Sequence, residues 1–307
     1  MKIAFYANHT VWGGLANNGG TNTILKSART IRGLRNSVSV VSNVDRFTYF
    51  THPKCVKQIP KDVQACIAVG IHDIKPMVAQ APPGAKLFYW MREYPLWKMN
   101  RKKIYKTLSK FSKRGEIICN SSWMQWKLAR RGIPSNLCFA GMDLNVFKEC
   151  GRPPAGSGEK ITIGALYSKT HKTKNYDFFL ELKKHLDKSK YDFIDLGRKE
   201  LSDVEMAEEY RKCDIWFSPT YLEGFHNCSA EAALCGALLI RTDAPICGQA
   251  DYSTEENSMI FKDGDLTDAL RKIRDADFSL VPKLQEKIIN DIGDRKTNMK
   301  KFLELIK

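Results

Sequence analysis

Short apolar runs alternate with segments of helical period along most of the chain. Residues 2–8 (KIAFYAN) form the first run, and a loop rich in Gly and Asn follows. Thr21 stands where it can cap the next segment, in which Ile24, Leu25, Ala28, Ile31 and Leu34 recur at helical spacing. Residues 37–42 (SVSVVS) read as a second strand. Strand, glycine loop, helix, strand is the start of a parallel sheet. Further strands are predicted at 64–71, 86–90 and 117–122, and helices at 97–114 and 123–131. Residues 149–160 (ECGRPPAGSGEK) carry no hydrophobic pattern and read as a domain boundary. Beyond it the alternation resumes, with strands at 161–167, 192–197, 213–218, 237–240 and 259–261. Helices are predicted at 176–186, 207–212, 228–234, 266–273 and 299–306. Gly236 sits where a left-handed residue would close the helix before it. The pattern predicts an α/β chain with two doubly wound parallel-sheet domains, 1–150 and 151 onward.

A chain of 307 residues has room for two such domains and ample burial. No apolar run reaches about 18 residues, so no transmembrane helix is expected, and Met1-Lys2-Ile3 enters a strand rather than a signal peptide. The nine cysteines are scattered and form no C-x-x-C. Cys66, Cys119, Cys213, Cys228 and Cys235 fall in apolar settings, which predicts reduced thiols in a cytosolic setting rather than disulfides or zinc.

Charge changes the picture more. Residues 1–150 hold 24 Lys and Arg against 7 Asp and Glu, and the remainder holds 25 against 27. The halves carry +17 and −2, so the basic excess lies on the first and points to a polyanionic partner there. The densest stretch is 97–114, with Lys98, Arg101, Lys102, Lys103, Lys106, Lys110, Lys113 and Arg114 and no acidic residue. Trp97, Ile104, Leu108 and Phe111 make its apolar stripe, which would face the domain core. The lysine face suits an anionic membrane surface, at roughly 1 kcal/mol per basic residue, or a phosphate backbone through counterion release.

Candidate chemistry concentrates at 219–245 (PTYLEGFHNCSAEAALCGALLIRTDAP). Glu223 precedes the predicted helix and Glu231 lies inside it, so the carboxylates can stand roughly 10 Å apart. Between them the N–H groups of Asn227, Cys228 and Ser229 would crown a helix start, an anion site. Carboxylate, phosphate cradle and carboxylate, in that order, describe a nucleotide sugar. The Gly-rich loop after the first strand is neither G-x-G-x-x-G nor a P-loop, so neither a standard dinucleotide nor an ATP fingerprint is present. Asp263-Gly264-Asp265 and Asp275-Ala276-Asp277 look like metal-binding D-x-D motifs, yet their settings read as helix caps and surface carboxylates. Arg92 ends a strand where open α/β sheets bind ligands. It could clamp a phosphate, or pair with Glu93 or Asp73. His72 and His9 are further candidates.

Glu223-Gly224-Phe225 followed by Glu231 resembles the donor-binding signature of retaining GT-B glycosyltransferases, specifically glycosyltransferase family four. Residues 139–143 with Phe147 resemble that family's approach to its interdomain linker, although Ala140 replaces the usual Asn. The resemblance implies two Rossmann-like domains facing a cleft: 1–150 for the acceptor, 151–290 for the nucleotide sugar, and a helix in 291–307 crossing back. It also implies retention of anomeric configuration, a UDP- or GDP-sugar donor, and no required cofactor or metal. Lys174 matches the family's lysine, with Lys172 beside it, while Ala165 stands where an arginine is usual, next to Gly164. Arg92 aligns with the usual histidine. Gly19 and Gly20 match the Gly-Gly turn after the first strand, and Arg198 stands near the nucleobase site. Glu223, Gly224 and Phe225 would hold the sugar, Cys228 and Ser229 the diphosphate, and Glu231 the ribose. Lys174, Glu223 and Arg92 are thus the catalytic candidates.

For the acceptor the first expectation is an anionic or membrane-associated glycan or lipid, in the cytoplasm or on the inner face of a membrane. A second is a modified base of DNA, as in phage or viral enzymes, within a host cytoplasm. A third reading is a non-catalytic binding protein on a degenerate GT-B scaffold. No protein partner is evident.

Overall fold

Strand β1 (Lys2–Tyr6) is buried at every position but its first, as expected of a strand in the middle of a parallel sheet covered on both faces. The computed structural model describes residues 1–7, 19–42, 54–95, 100–151, 156–168, 171–197 and 201–307. His9, Trp97, Lys98, Arg198 and positions 152–155 of the expected linker lie outside the described residues, as does the Gly/Asn loop at 8–18.

After β1 come α1 (Gly19–Gly33), β2 (Ser37–Val41), β3 (Lys54–Val56), β4 (Ala65–Ala68), α2 (Ile74–Gln80) and β5 (Lys86–Met91). Next are α3 (Arg101–Phe111), β6 (Glu116–Cys119), α4 (Ser122–Ala129) and β7 (Asn136–Leu137). Among the described residues these strands make one parallel sheet in the order β3-β2-β1-β4-β5-β6-β7. The run at 64–71 is shorter as a strand than its apolar pattern suggests, because Ile71–Asp73 turns into a 3₁₀ helix. One capping expectation is corrected. Helix α1 starts at Gly19, so Thr21 falls inside its first turn. Ser121 occupies the cap of α4, but its buried hydroxyl makes no capping bond.

The second sheet is built from β8 (Ile161–Leu166), α5 (Tyr176–Lys184), β9 (Tyr191–Leu196), α6 (Asp203–Arg211) and β10 (Ile215–Ser218). Then follow β11 (Leu222–Glu223), α7 (Asn227–Leu234), β12 (Leu238–Thr242), β13 (Ile246–Cys247), β14 (Met259–Phe261), α8 (Leu266–Arg274), α9 (Val281–Lys287) and α10 (Arg295–Leu305). Its order is β14-β12-β10-β8-β9, all parallel, with β11 and β13 forming a separate parallel pair. Helices α5 and α8 cover one face through Phe179, Leu182, Ala269 and Ile273. Helices α6, α7 and α9 pack together elsewhere, and Tyr210 of α6 sits edge-on to Trp216 of β10 at 5.1 Å.

The chain divides into two units, Met1–Gly141 with Arg295–Lys307, and Met142–Asp294. Helix α10 completes the core of the first. Its Phe302 lies 5.1 Å from the Trp90 ring and 6.3 Å from Phe5, and Met299, Leu303 and Ile306 are buried with them. The first unit holds 28 Lys and Arg against 6 Asp and Glu, and the second 21 against 28, so they carry +22 and −7.

Candidate active site

In the second unit β9 lies on one side of β8 and β10 on the other, so the chain reverses direction across the sheet between β8 and β10. Loops from the C-terminal ends of two such strands diverge to opposite faces and leave a crevice, the usual ligand position of an open α/β sheet. The loop after β8 holds a 3₁₀ turn, Lys172–Lys174. The loop after β10 is tied to it where the Tyr221 N–H donates to the Thr173 carbonyl at 3.1 Å. There Lys174 Nζ donates to Glu223 Oε2. The two side chains are only 16% and 20% exposed, so the pair is screened less than a surface ion pair. Burial works against the Lys174 charge, but the adjoining Glu223 carboxylate and their hydrogen bond outweigh it and raise the lysine above its ordinary pKa. The other Glu223 oxygen accepts from the Gly224 N–H at 3.3 Å.

Helix α7 begins at Asn227 behind an N-cap that the sequence did not announce, His226. Its Nδ1 accepts from the Ser229 N–H at 3.3 Å and lies 2.7 Å from Ser229 Oγ. Trp216 Nε1 (3.1 Å) and Gln249 Nε2 (2.6 Å) also reach that hydroxyl, and both can only donate. Ser229 Oγ therefore gives its one proton to His226 Nδ1. The His226 proton is left on Nε2, 3.3 Å from Thr220 Oγ1. Burial, with the nearby Lys174 charge, holds the imidazole well below its usual pKa and keeps it neutral. Gln249 Nε2 also donates to Ser218 Oγ at 2.6 Å, and Tyr252 Oη donates to the His226 carbonyl at 2.9 Å.

This network corrects the expected role of Ser229: its N–H is taken by the cap, and its side chain is wholly buried. Asn227 and Cys228 open the helix, and the Cys228 thiol lies within reach of the Lys174 charge. Burial, and the Glu231 charge, push the Cys228 thiol up to about 11, so it is protonated at neutral pH. Glu231 lies one turn further on and accepts from the buried Tyr210 hydroxyl at 3.3 Å. The helix closes as the sequence indicates. Gly236 takes φ +98°, and the N–H groups of Gly236 and Ala237 bond back to Ala233 and Ala232, a Schellman end.

The segment 221–227 is more ordered than the loop its composition suggests, because β11 pairs with β13 in the register Leu222↔Ile246, Glu223↔Cys247. Gly248 follows immediately. A Cβ there would stand 1.9 Å from the Gly224 carbonyl oxygen, so only glycine lets the two backbones approach. Gly164 also has a packing reason, since a Cβ would meet Cys213 Sγ at 2.3 Å inside β8. Ala165, where an arginine was looked for, is buried in the core of the second unit. Lys172 is exposed. Asp265 caps α8 by accepting from the Asp268 N–H, and Asp277 caps the next 3₁₀ turn, so one acid of each D-x-D pair acts as a helix cap. All nine cysteines are free thiols.

In the first unit Arg92 lies at the end of β5. Its guanidinium donates to the Gly20 carbonyl and, at 3.3 Å, to the Val69 carbonyl, and the Glu93 and Asp73 charges act on it as well. Burial lowers its pKa, which those charges partly offset. Arg92 thus fastens the start of α1, where Gly19 and Gly20 are the first two helical residues, to the end of β4. On α3, Ile104, Leu108 and Phe111 are buried and Arg101, Lys102, Lys103, Lys106 and Lys110 are exposed, as are Lys113 and Arg114 just beyond its end. No described helix is long and apolar enough to cross a membrane.

No family model matches this chain, and no curated protein sequence does. Solved structures do. A sucrose-phosphate synthase from Thermosynechococcus elongatus is 12% identical with a TM-score of 0.77, covering 99% of this chain and 98% of that one. HepE of Anabaena, solved with UDP and glucose, is 13% identical with a TM-score of 0.76, over 100% and 99%. An α-glucosyltransferase solved with UDP and a 13-mer DNA containing an HMU base is 11% identical with a TM-score of 0.68, over 100% and 99%. At such identities the likeness is one of fold, and the fold is GT-B, two parallel-sheet α/β units, as the resemblance implied.

Proposed function

We propose that the chain is a nucleotide-sugar-dependent glycosyltransferase that moves a hexose from a UDP- or GDP-linked donor to a hydroxyl with retention at the anomeric carbon. The observation that carries the reading is the meeting of Lys174, Glu223 and the start of α7 at the switch point of the second sheet, with Glu231 one turn further along. Solved structures of similar fold hold UDP, UDP-glucose, or UDP with glucose. In the proposed step the bond from the sugar's anomeric carbon to the diphosphate oxygen breaks, and a bond from that carbon to the acceptor oxygen forms on the same face. The departing diphosphate keeps the electron pair and takes the acceptor's proton. Lys174, assisted by the exposed Lys172, neutralises the charge that grows on the diphosphate, and the N–H groups at Asn227 and Cys228 add the helix-start field. Glu223 with the Gly224-Phe225 backbone holds sugar hydroxyls, and Glu231 holds the ribose. On this reading no metal or cofactor takes part.

The acceptor is polyanionic, because the first unit carries +22. A lipid-linked or other anionic glycan fits that description, and so does DNA, which one structure of similar fold holds. Release of free sugar and nucleotide from a panel of UDP- and GDP-sugars tests the reading. Turnover with at least one donor, lost in Glu223→Gln, is expected; a protein that binds donors but turns over none would be a binding protein on this fold.

A further inference from the structure

Two neighbouring helices of the first unit carry exposed cations, those of α4 and its end set over aromatic rings, and we propose that this surface binds the phosphodiester backbone of a nucleic acid. The inference deepens the reading above, since a bound nucleic acid would carry the acceptor hydroxyl. Tyr94 donates to the Tyr105 hydroxyl at 2.9 Å and sits edge-on to Trp123 at 5.5 Å, which links α3 to α4. On these rings stand the cations of α4 and its end: Lys127 over Tyr94 at 5.6 Å, Arg130 over Trp126 at 5.0 Å, and Arg131 over Tyr105 at 4.8 Å. Ring faces hold a cation in place without neutralising it. The exposed basic residues of α3 extend the same field, so residues 101–131 hold ten basic side chains against one acidic residue, Glu116. That carboxylate accepts from Asn136 Nδ2 at 3.2 Å. A field of one sign repels itself and lowers stability unless an anion answers it.

Two observations favour nucleic acid over a bilayer. An interfacial helix needs an apolar face to bury about 5–10 Å into the headgroup boundary. Helix α3 has none to offer, because Ile104, Leu108 and Phe111 are 0%, 0% and 3% exposed within the protein. Among the described residues of this unit, the exposed large apolar side chains are Trp126 and Leu137. A phosphate backbone asks for no such face. It asks for cations in a row and for guanidinium forks, which Arg101, Arg114, Arg130 and Arg131 supply. The Trp126 indole, 57% exposed under Arg130, adds a plane on which an unpaired base can stack.

The test is fluorescence anisotropy with a duplex of about 20 base pairs and with one of its strands, beside sedimentation with phosphatidylserine vesicles, across about 50 to 200 mM salt. Binding to nucleic acid that falls roughly 10³- to 10⁵-fold over that range is expected. Reversing three exposed lysines together (K103E, K106E and K110E) should reduce the salt slope by about 3, and Trp126→Ala should weaken the single strand roughly tenfold. Unchanged thermal unfolding confirms that both variants fold. Sedimentation with vesicles but no nucleic-acid binding overturns the proposal, as does binding to neither, or an unchanged slope in the triple variant. Titration of wild-type protein with UDP and with GDP scores the donor reading separately: nucleic-acid binding with neither nucleotide bound sustains this surface and removes glycosyl transfer, whereas nucleotide binding alone removes only the surface.

Discussion

Lys174 and His226 are neighbours with opposite electrostatic fates. Lys174 keeps its charge because Glu223 stands against it, and His226 stays neutral because burial and that same lysine oppose protonation. If Lys174 stabilises a departing diphosphate, Lys174→Met should lower kcat for donor hydrolysis roughly 10²- to 10³-fold, measured by nucleotide release. For His226 the prediction concerns stability. Its folded pKa lies below the unfolded value near 6.5, so the unfolded chain takes up the proton first. The stabilisation is complete above that value and declines as pH falls below it, by about 1.4 kcal/mol per pH unit while the group titrates. The melting temperature of the wild type should therefore drop below pH 6.5 more steeply than that of His226→Asn, which keeps a capping side chain without an imidazole. Of these residues the sequence disclosed the charged ones. Glu223 and Glu231 stood out between a strand and an Ala-rich helix, whereas Lys174 was named only through the family resemblance. His226 stood in plain view at the cap position, but histidine is not a usual cap. Gln249 carried no local signal, because its partners Ser229 and Ser218 are 20 and 31 residues away.

Between single residues and the whole chain, the second unit depends on two places where backbone or sheet passes very close to a neighbour. The β11–β13 pair is two residues long on each side, too short to be seen as a strand in any hydrophobic pattern, yet it sets where Glu223 stands. Gly248→Ala should push the Gly224 carbonyl away, cost about 1–3 kcal/mol of stability, and raise KM for the donor along with it. Denaturant unfolding and steady-state kinetics check both effects. Gly164→Ala should cost a similar amount through contact with Cys213 Sγ, and Cys213→Ala in the same chain should recover part of the loss. Long elements were legible from periodicity, as α1, α3, α5 and α10 illustrate, with boundaries shifted by a few residues. What escaped the pattern was tertiary in origin: the early 3₁₀ turn at Ile71, and the reach of Arg92 to the carbonyls of Gly20 and Val69.

At the scale of the molecule, charge and connectivity divide the chain differently from its linker composition. The partition of +22 and −7 is sharper than the halves on either side of Cys150 suggested, because α10 and the residues around it add five more basic groups to the first unit. That unit is discontinuous, while the second is one uninterrupted stretch whose ends lie side by side, Met142 bridging to Asp294. Residues 142–294 expressed alone should therefore unfold cooperatively in denaturant, and residues 1–141 alone should not, for want of Phe302 between Phe5 and Trp90. A peptide covering 295–307 added to the latter should restore a transition, and its absence would contradict the packing described. The same connectivity sets an order of events on the ribosome. The half that is made first has to wait for the last helix to be translated, so the part of the protein that begins earliest finishes latest, and the acidic half is the one that can set early.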